Sequence, residues 1–312
     1  MRALVIGGTG LVGNALVRAW ARRGAVVAAA TYHCHPSAAF RQLDMQDEAA
    51  VRAALAELRP DLVAVPAANP HVDYCELHPE ETRRVNVAGT LNVARACRTA
   101  GARMVFFSSD YVFDGRKGVY TEKDVPSPIN EYGRQKAEAE VGVLQADARN
   151  LVVRTSGAYG WQWEPKNFVL QISSRLAAGQ RMQVAADLLY NPTAAENLAD
   201  VVIELCAKNA GGIFHVVGAD RLARHDFAVL AARAFGLDES LLEPVPSAQF
   251  KSPTPRPKSS SLDTAKVRSA ARAALWGAGE GLRRMVAGEA AWREYAKCLP
   301  DASIKGNESL LQ

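Results

Sequence analysis

The feature that most restricts this chain is its opening. An apolar run, ALVIG at 3–7, passes into glycines at 7, 10 and 13 and then into a helical pattern at 11–24, LVGNALVRAWARRG, closed by Gly24. An apolar run of this length bounded by glycine reads as a buried strand, and the turn after it sends the chain back as a helix. The alternation continues. AVVAAA at 25–30, DLVAVPAA at 61–68, ARMVFFSSD at 102–110 and NLVVRTS at 150–156 read as strands. Between them, 47–60 (stopped by Pro60), 79–101 (from a proline to a glycine) and 131–146 read as helices. Apolar strands separated by helices make βαβ units. The expected class is therefore α/β, a doubly wound parallel sheet covered on both faces.

Beyond residue 157 the rhythm becomes irregular, with helices expected near 166–178, 194–208, 224–235 and 279–296 and short strands near 182–184 and 213–217. The segment SAQFKSPTPRPKSSSLD at 247–263 has the composition of a linker. Too little chain follows it to form another folded unit, so it reads as an ordered loop draped over the domain. The terminal stretch 301–312 reads as a flexible tail.

Composition narrows the function classes. Of 312 residues, 48% are hydrophobic, too many for a solvated coil. No apolar stretch is long enough for a membrane helix. The 37 basic and 33 acidic residues leave a net charge of +4 spread along the chain, which is no footprint for nucleic acid. The five cysteines, at 34, 75, 97, 206 and 298, are odd in number and scattered, which fits reduced thiols and a cytoplasmic location. MRALVIGGTG does not have the form of a signal peptide.

The spacing Gly7-x-x-Gly10-x-x-Gly13, after a strand and before a helix, suits a dinucleotide. Gly7 permits the tight turn and Gly10 lets backbone approach a pyrophosphate, while Gly13 lets helix and sheet pack closely. Leu11 and Val12 open the helix whose N-terminal amides and dipole favour the anion. At the end of the second strand stand Thr31, Tyr32 and His33, with no Asp or Glu to select a ribose 2′-OH. His33 and Arg41 are candidates to face a 2′-phosphate, so NADP(H) is the expected cofactor and NAD(H) the alternative. His33 and His35 alone in a loop read as surface, and no metal is expected.

Tyr132 and Lys136 stand four apart at the start of a helix, on one face. A tyrosine of pKa about 10 is a poor acid–base at neutral pH, and a neighbouring ammonium is expected to bring it down. The strand ending in Ser108, Ser109 and Asp110 places hydroxyls at the carboxyl edge of the same sheet, where ligands of such folds sit. Ser109, Tyr132 and Lys136 then form a set for hydride transfer: a hydroxyl to orient a carbonyl, a phenol to exchange the proton, and a lysine to tune the phenol and hold ribose. Cys75 has no histidine at a telling position and does not read as a nucleophile.

These motifs resemble the extended short-chain dehydrogenase/reductase superfamily. Several segments look like its dTDP-4-dehydrorhamnose reductase family: VPAANPHVDYCELHPEETRRVN at 65–86, SSDYVFDG at 108–115, PINEYGRQKAEAE at 128–140, NPTAAENLAD at 191–200 and RPKSSSLDTAKV at 256–267. The resemblance implies a Rossmann domain over 1–157, rejoined by segments at about 187–217, and a mainly substrate-binding part over 158–300 that closes on a nucleotide-sugar. It implies catalytic roles for Ser109, Tyr132 and Lys136. Cofactor contacts would come from Asp44 and Met45 near adenine, from Ala67 and Ala68 in the cleft, from Asn86 as support, and from Thr31, His33, Tyr132 and Lys136. Asp110, Tyr111, Val112, Asn167 and Arg256 would face the substrate.

The chain departs from that family at one position of consequence. Where the family commonly has a sugar-packing tryptophan after the arginine-threonine-serine strand, this chain has Gly157, and its longer loop GWQWEPKNFV brings Trp161 and Trp163. Either indole replaces the missing ring, or both pack the loop. The resemblance implies NADPH-dependent reduction of dTDP-4-dehydro-L-rhamnose. An epimerase or another keto-sugar reductase is the first alternative. Dehydration is disfavoured because Tyr111, not a carboxylate, follows Asp110. A further alternative is a non-catalytic role like that of the regulatory subunit of methionine adenosyltransferase, which the pattern also resembles. The helices at 79–101 and 131–146 are those on which a homodimer of this superfamily would form.

Overall fold

The structure, a computed structural model, describes residues 1–32, 40–163 and 166–297. Strand β1 (Arg2–Ile6) leads through the glycine turn to α1 (Leu11–Arg22), followed by β2 (Val26–Tyr32), β3 (Arg41–Gln42), α2 (Glu48–Leu58) and β4 (Leu62–Val65). Next come α3 (Val72–Leu77) and α4 (Pro79–Arg83), which continues through a π-helical stretch at Arg84–Gly89 into α5 (Thr90–Ala100). Then follow β5 (Arg103–Ser109), β6 (Gly118–Tyr120), α6 (Glu131–Ala146), β7 (Leu151–Thr155) and β8 (Ala158–Tyr159). The second half holds α7 (Phe168–Ala177), β9 (Met182–Ala185), β10 (Leu189–Tyr190), β11 (Thr193–Ala194), α8 (Ala195–Ala207) and β12 (Gly212–His215). It ends with β13 (Leu222–Ala223), α9 (Arg224–Ala234), β14 (Leu242–Val245), β15 (Ser260–Leu262), α10 (Ala265–Ala270), α11 (Ala278–Ala287) and α12 (Glu289–Ala296).

Seven parallel strands form the central sheet in the order β12-β7-β5-β4-β1-β2-β3. The chain order turns back beside β1, which creates the crevice at which doubly wound sheets bind ligands. Because side chains alternate along a strand, each strand feeds two cores. Ala3 and Val5 point with Leu62 and Ala64 toward α1 and α8, whereas Leu4 and Ile6 point with Val63 and Val65 toward α2, α5 and α6. A third core, around Phe227, Ile172 and Leu282, binds α7, α9 and α11 into the C-terminal layer. Local chemistry sets the ends of the elements. Asp47 accepts the Ala50 amide at 2.9 Å to start α2, and Gly101, at φ +73°, ends α5.

Two expectations change in detail, and the expected ordering of the proline-rich segment holds. The helix expected over 79–101 runs as α4 and α5 with the π-helical stretch, which contains Asn86, between them. The helix expected over 279–296 is two helices meeting at Gly288. The proline-rich segment is held rather than linker-like: β15 pairs in parallel with β6, and the Asn130 side chain donates to the Pro255 carbonyl at 3.0 Å. His33, His35 and the tail at 301–312 lie outside the described residues. Among the described residues no helix is long and apolar enough to cross a membrane.

A buried ion pair supports the sheet behind the site. Arg154 on β7 donates to both oxygens of Glu140 on α6, at 2.9 and 2.6 Å, and its Nη1 lies 3.5 Å from His215 Nε2 on β12. Burial first, then the Arg154 charge, pulls His215 down from 6.5 to about 3, so it is neutral in the folded protein. An unfolded chain takes up that proton as the pH falls through 6.5, whereas the folded chain does so only near 3. The neutral ring therefore contributes fully above pH 6.5, and stability is lost below it by up to about 1.4 kcal/mol per pH unit. Urea unfolding of the wild type between about pH 7 and pH 5 is expected to show this slope, and a His215→Asn variant a shallower one.

Candidate active site

The carboxyl ends of β1, β4 and β5 converge on one crevice. Gly7 adopts φ +95°, and a side chain at Gly13 would place its Cβ 2.0 Å from the Gly7 carbonyl oxygen, so α1 begins pressed against the turn. No side chain caps α1, which leaves its N-terminal amides to a ligand. A Cβ at Gly10 would meet only the Gly7 oxygen, at 3.4 Å, so the outer side of the turn is open. Ala67 follows β4 directly beneath Gly7, and its amide donates to the Ile6 carbonyl at 3.2 Å. Ala68 is half-buried on the same loop.

Asn86, fully buried in the π-helical stretch, fixes this loop. It accepts the Asn69 amide at 2.8 Å and donates to the Asn69 carbonyl at 3.1 Å and to Gln135 Oε1 at 2.8 Å. Gln135 belongs to α6, so the cleft loop and the helix carrying the tyrosine are tied together. Asp44 accepts the Gln46 amide at 2.9 Å just beyond β3. The Met45 side chain is packed in the core beneath Gly89 rather than lining the cleft, while its carbonyl is held by Asn92. Side-chain positions at Thr31 and His33 lie outside the described residues.

Helix α6 starts at Asn130, whose side chain accepts the Gly133 amide at 2.9 Å. Gly133 is glycine because a Cβ there would lie 2.1 Å from the Tyr111 carbonyl oxygen. Its absence lets the helix reach the turn after β5, and the first turn brings Tyr132 edge-on to Tyr111 with ring centroids 6.2 Å apart. One turn later the buried Lys136 donates to the Phe107 carbonyl at 2.8 Å, with Nζ 5.8 Å from the Tyr132 ring centroid. Burial lowers Lys136 from 10.5 to about 8.

Tyr132 departs from the expected direction. Burial, reinforced by the Asp110 charge, pushes its phenol well above 10, and hydrogen bonding from Ser109 opposes this only in part. The resting side chain is therefore a protonated phenol. Ser109 accepts the Tyr111 amide at 3.2 Å and donates to Asp110 Oδ1 at 3.0 Å. Two further hydroxyls, Ser156 and Ser260, donate to Asp110 Oδ2 at 2.7 and 2.5 Å. Burial raises the Asp110 pKa against these three donors.

A cavity opens beside Asp110, bordered by Tyr111, Ser156, Gly157, Tyr190 and Arg224. Of the residues expected at the substrate, Asp110 and Tyr111 line it. Val112 does not: its side chain is fully buried against Phe113, Tyr120 and Leu262. Asn167 turns inward as the cap of α7 and donates to the Gly160 carbonyl at 2.8 Å. Arg256 forms a two-point pair with Asp73 on α3 at 2.8 and 2.9 Å, and this holds Asp73 down at about 2. Cys75 is buried, and desolvation raises its thiol, so it is no nucleophile.

Sequence reasoning missed Ser156, Ser260, Tyr190 and Arg224. The serines lie in segments with a family likeness, but nothing in those segments marks Ser156 or Ser260 as facing Asp110. Tyr190 and Arg224 come from irregular segments whose place beside β5 no local pattern announces.

The family model described as RmlD substrate binding domain matches residues 1–290. The chain is 33% identical over 273 residues to "Probable low-salt glycan biosynthesis reductase Agl14" of Haloferax volcanii, covering 86% of this chain and 91% of that one. It is 30% identical over 274 residues to methionine adenosyltransferase 2 subunit beta of Xenopus laevis, covering 85% and 81%. Among solved structures, dTDP-4-dehydrorhamnose reductase from Bacillus anthracis in complex with NADP has a TM-score of 0.83 at 26% identity, covering 92% of this chain and 98% of that one. The family match takes in the glycine turn, the Ser109–Asp110 edge and the C-terminal segments that close on it, and the chain belongs to the RmlD substrate binding domain family.

Proposed function

We propose that this protein reduces the 4-keto group of a nucleotide-linked deoxysugar, dTDP-4-dehydro-L-rhamnose to dTDP-L-rhamnose, with NADPH as the reductant. The chain is an NAD(P)-dependent oxidoreductase by family. The observation that carries the finer reading is the meeting of Ser109, Tyr132 and Lys136 at the sheet edge beside the open glycine turn. A bound nicotinamide supplies the hydride that the keto carbon accepts.

The chain's own residues do the rest. Ser109 turns its hydroxyl to the carbonyl oxygen and holds it in place. Tyr132, kept protonated by its desolvated surroundings, gives its proton to that oxygen as negative charge develops there. Lys136 stands on the same face and stabilises the phenolate left behind, which is then reprotonated from solvent. The uncapped α1 N-terminus holds the pyrophosphate.

Mixing the protein with NADPH and enzymatically generated dTDP-4-dehydro-L-rhamnose, while following nicotinamide absorbance, tests the reading. Rapid oxidation is expected, falling by about 100-fold or more in Tyr132→Phe. Comparison with NADH reports on the preference for the 2′-phosphate. Absence of oxidation while NADPH still binds would overturn the proposal and point to a partner-binding role like that of the methionine adenosyltransferase subunit.

Two further outcomes are expected. Lys136 is an ammonium below about pH 8 and loses its charge above it, so kcat/KM should fall on the alkaline side with a midpoint near 8. Lys136→Met should be slow and lack that limb. Gly10→Ala should leave the thermal midpoint nearly unchanged, because the nearest atom to the new Cβ is 3.4 Å away, yet weaken NADPH binding by about tenfold in a fluorescence titration.

A further inference from the structure

The cavity beside Asp110 has one aromatic wall whose position is linked to a missing side chain. Gly157 follows Ser156, the residue that donates to Asp110, and adopts φ +51°. A Cβ built on Gly157 would lie 2.1 Å from Tyr190 Cε2 and 2.5 Å from Cδ2. The Tyr190 ring therefore fills the space that any side chain at position 157 would occupy. It is fixed from behind by Phe227, edge-on at 6.2 Å, and its backbone is held by the pairing of β10 with β13 and by the Leu189 amide donating to the Lys258 carbonyl at 2.8 Å.

We propose that Tyr190 is the ring against which the hexose of the substrate packs, and that Gly157 and Tyr190 form a complementary pair fixing the shape of sugar admitted. This rests on the keto-sugar reading above. The cavity is two-sided: Asp110, Ser156 and Ser260 supply acceptors and hydroxyls, and Tyr190 with Leu188 and Pro257 supplies an apolar face. A pyranose has the same division, polar at its edge and apolar on its C–H face, and pockets that orient ligands combine the two surfaces in this way. Arg224 borders the same cavity and has no carboxylate paired with it among the described residues; its guanidinium lies 4.3 Å from the Phe168 ring centroid. That positive charge suits a substrate carrying phosphates.

The other aromatic candidates are placed differently. Trp161 donates to the Met285 carbonyl at 2.7 Å, packs edge-on with Phe235 at 6.0 Å and borders a separate depression beside α1. Trp163 does not border the Asp110 cavity. Tyr111 borders the cavity too, with its ring edge-on to Tyr132 and its hydroxyl bonded to Arg256.

The test compares wild type, Tyr190→Phe, Tyr190→Ala, Gly157→Trp and the double variant Gly157→Trp/Tyr190→Gly. Binding of dTDP-L-rhamnose to the NADP⁺-loaded protein is measured by calorimetry, beside turnover of the keto-sugar and binding of NADPH alone. Tyr190→Ala is expected to weaken sugar binding and raise KM by about tenfold, with kcat and NADPH binding little changed. Tyr190→Phe should match wild type. Gly157→Trp alone should lose sugar binding, and the double variant should regain it in part, since the indole then has the space the phenol left while the backbone at φ +51° stays strained.

Unchanged sugar affinity in Tyr190→Ala would overturn the proposal. If the wild type neither binds nor turns over the rhamnose compounds, the substrate assignment fails first, and the same variants are compared on dTDP-glucose and UDP-glucose. Loss of binding of either sugar in Tyr190→Ala would sustain the wall, and equal binding would remove it. Failure of the wild type to bind any of these nucleotide-sugars overturns both readings.

Discussion

The Asp110 carboxylate is the group on which the rest of this structure depends. It is buried at the carboxyl end of β5, where a charge is tolerated only if its lone pairs are met by donors. The donors come from three parts of the chain: Ser109 beside it, Ser156 after β7, and Ser260 on β15, which is 150 residues away in sequence. Satisfying this charge therefore also closes the fold. The C-terminal segment that delivers Ser260 also borders the cavity through Pro257, so cavity and tertiary closure share one interaction. Asn191 repeats the device nearby, donating to the Gly218 and Asp220 carbonyls and accepting the Leu262 amide.

The tyrosine and lysine illustrate a second constraint. Their four-residue spacing puts them on one helix face, but spacing does not say how deep that face lies. Here Gly133 lets α6 approach the turn after β5, and the depth that follows desolvates both groups. Burial raises an acid that is neutral when protonated and lowers one that is charged, so two pKa values that start close together move apart. The result is a protonated phenol beside an ammonium that titrates near 8. The sequence suggested the pair. The direction of the phenol's shift came from its surroundings.

Legibility followed the same division. Strands β1, β2, β4, β5 and β7 were readable because two-sided burial makes continuous apolar runs, whereas the two-residue, exposed β3 was not; α1, α2 and α6 were readable because their caps and stops are local. The strands β8, β10, β11, β13 and β15 are two or three residues long, too short for any period to register, and they bring Gly157, Tyr190, Arg224 and Ser260 to the cavity. The interruption of the 79–101 helix at Asn86 was invisible for a related reason. The Asn86 side chain in that stretch is bonded to Asn69 and Gln135 across 17 and 49 residues, partners that no local window contains.

By itself the sequence determined the parallel sheet, the glycine turn that opens it, and the presence of a serine, a tyrosine and a lysine near its carboxyl edge. These depend on periodicity, on backbone freedom at a few positions and on spacing within one helix, all of which are local. The tertiary structure alone decided which side chains border the Asp110 cavity. Arg256 was drawn onto Asp73 across 183 residues, Val112 into a core, and Trp161 onto Met285, while Tyr190 moved into the space above Gly157. Packing and pairing between distant segments follow from the whole chain closing on itself, and no window of sequence contains them.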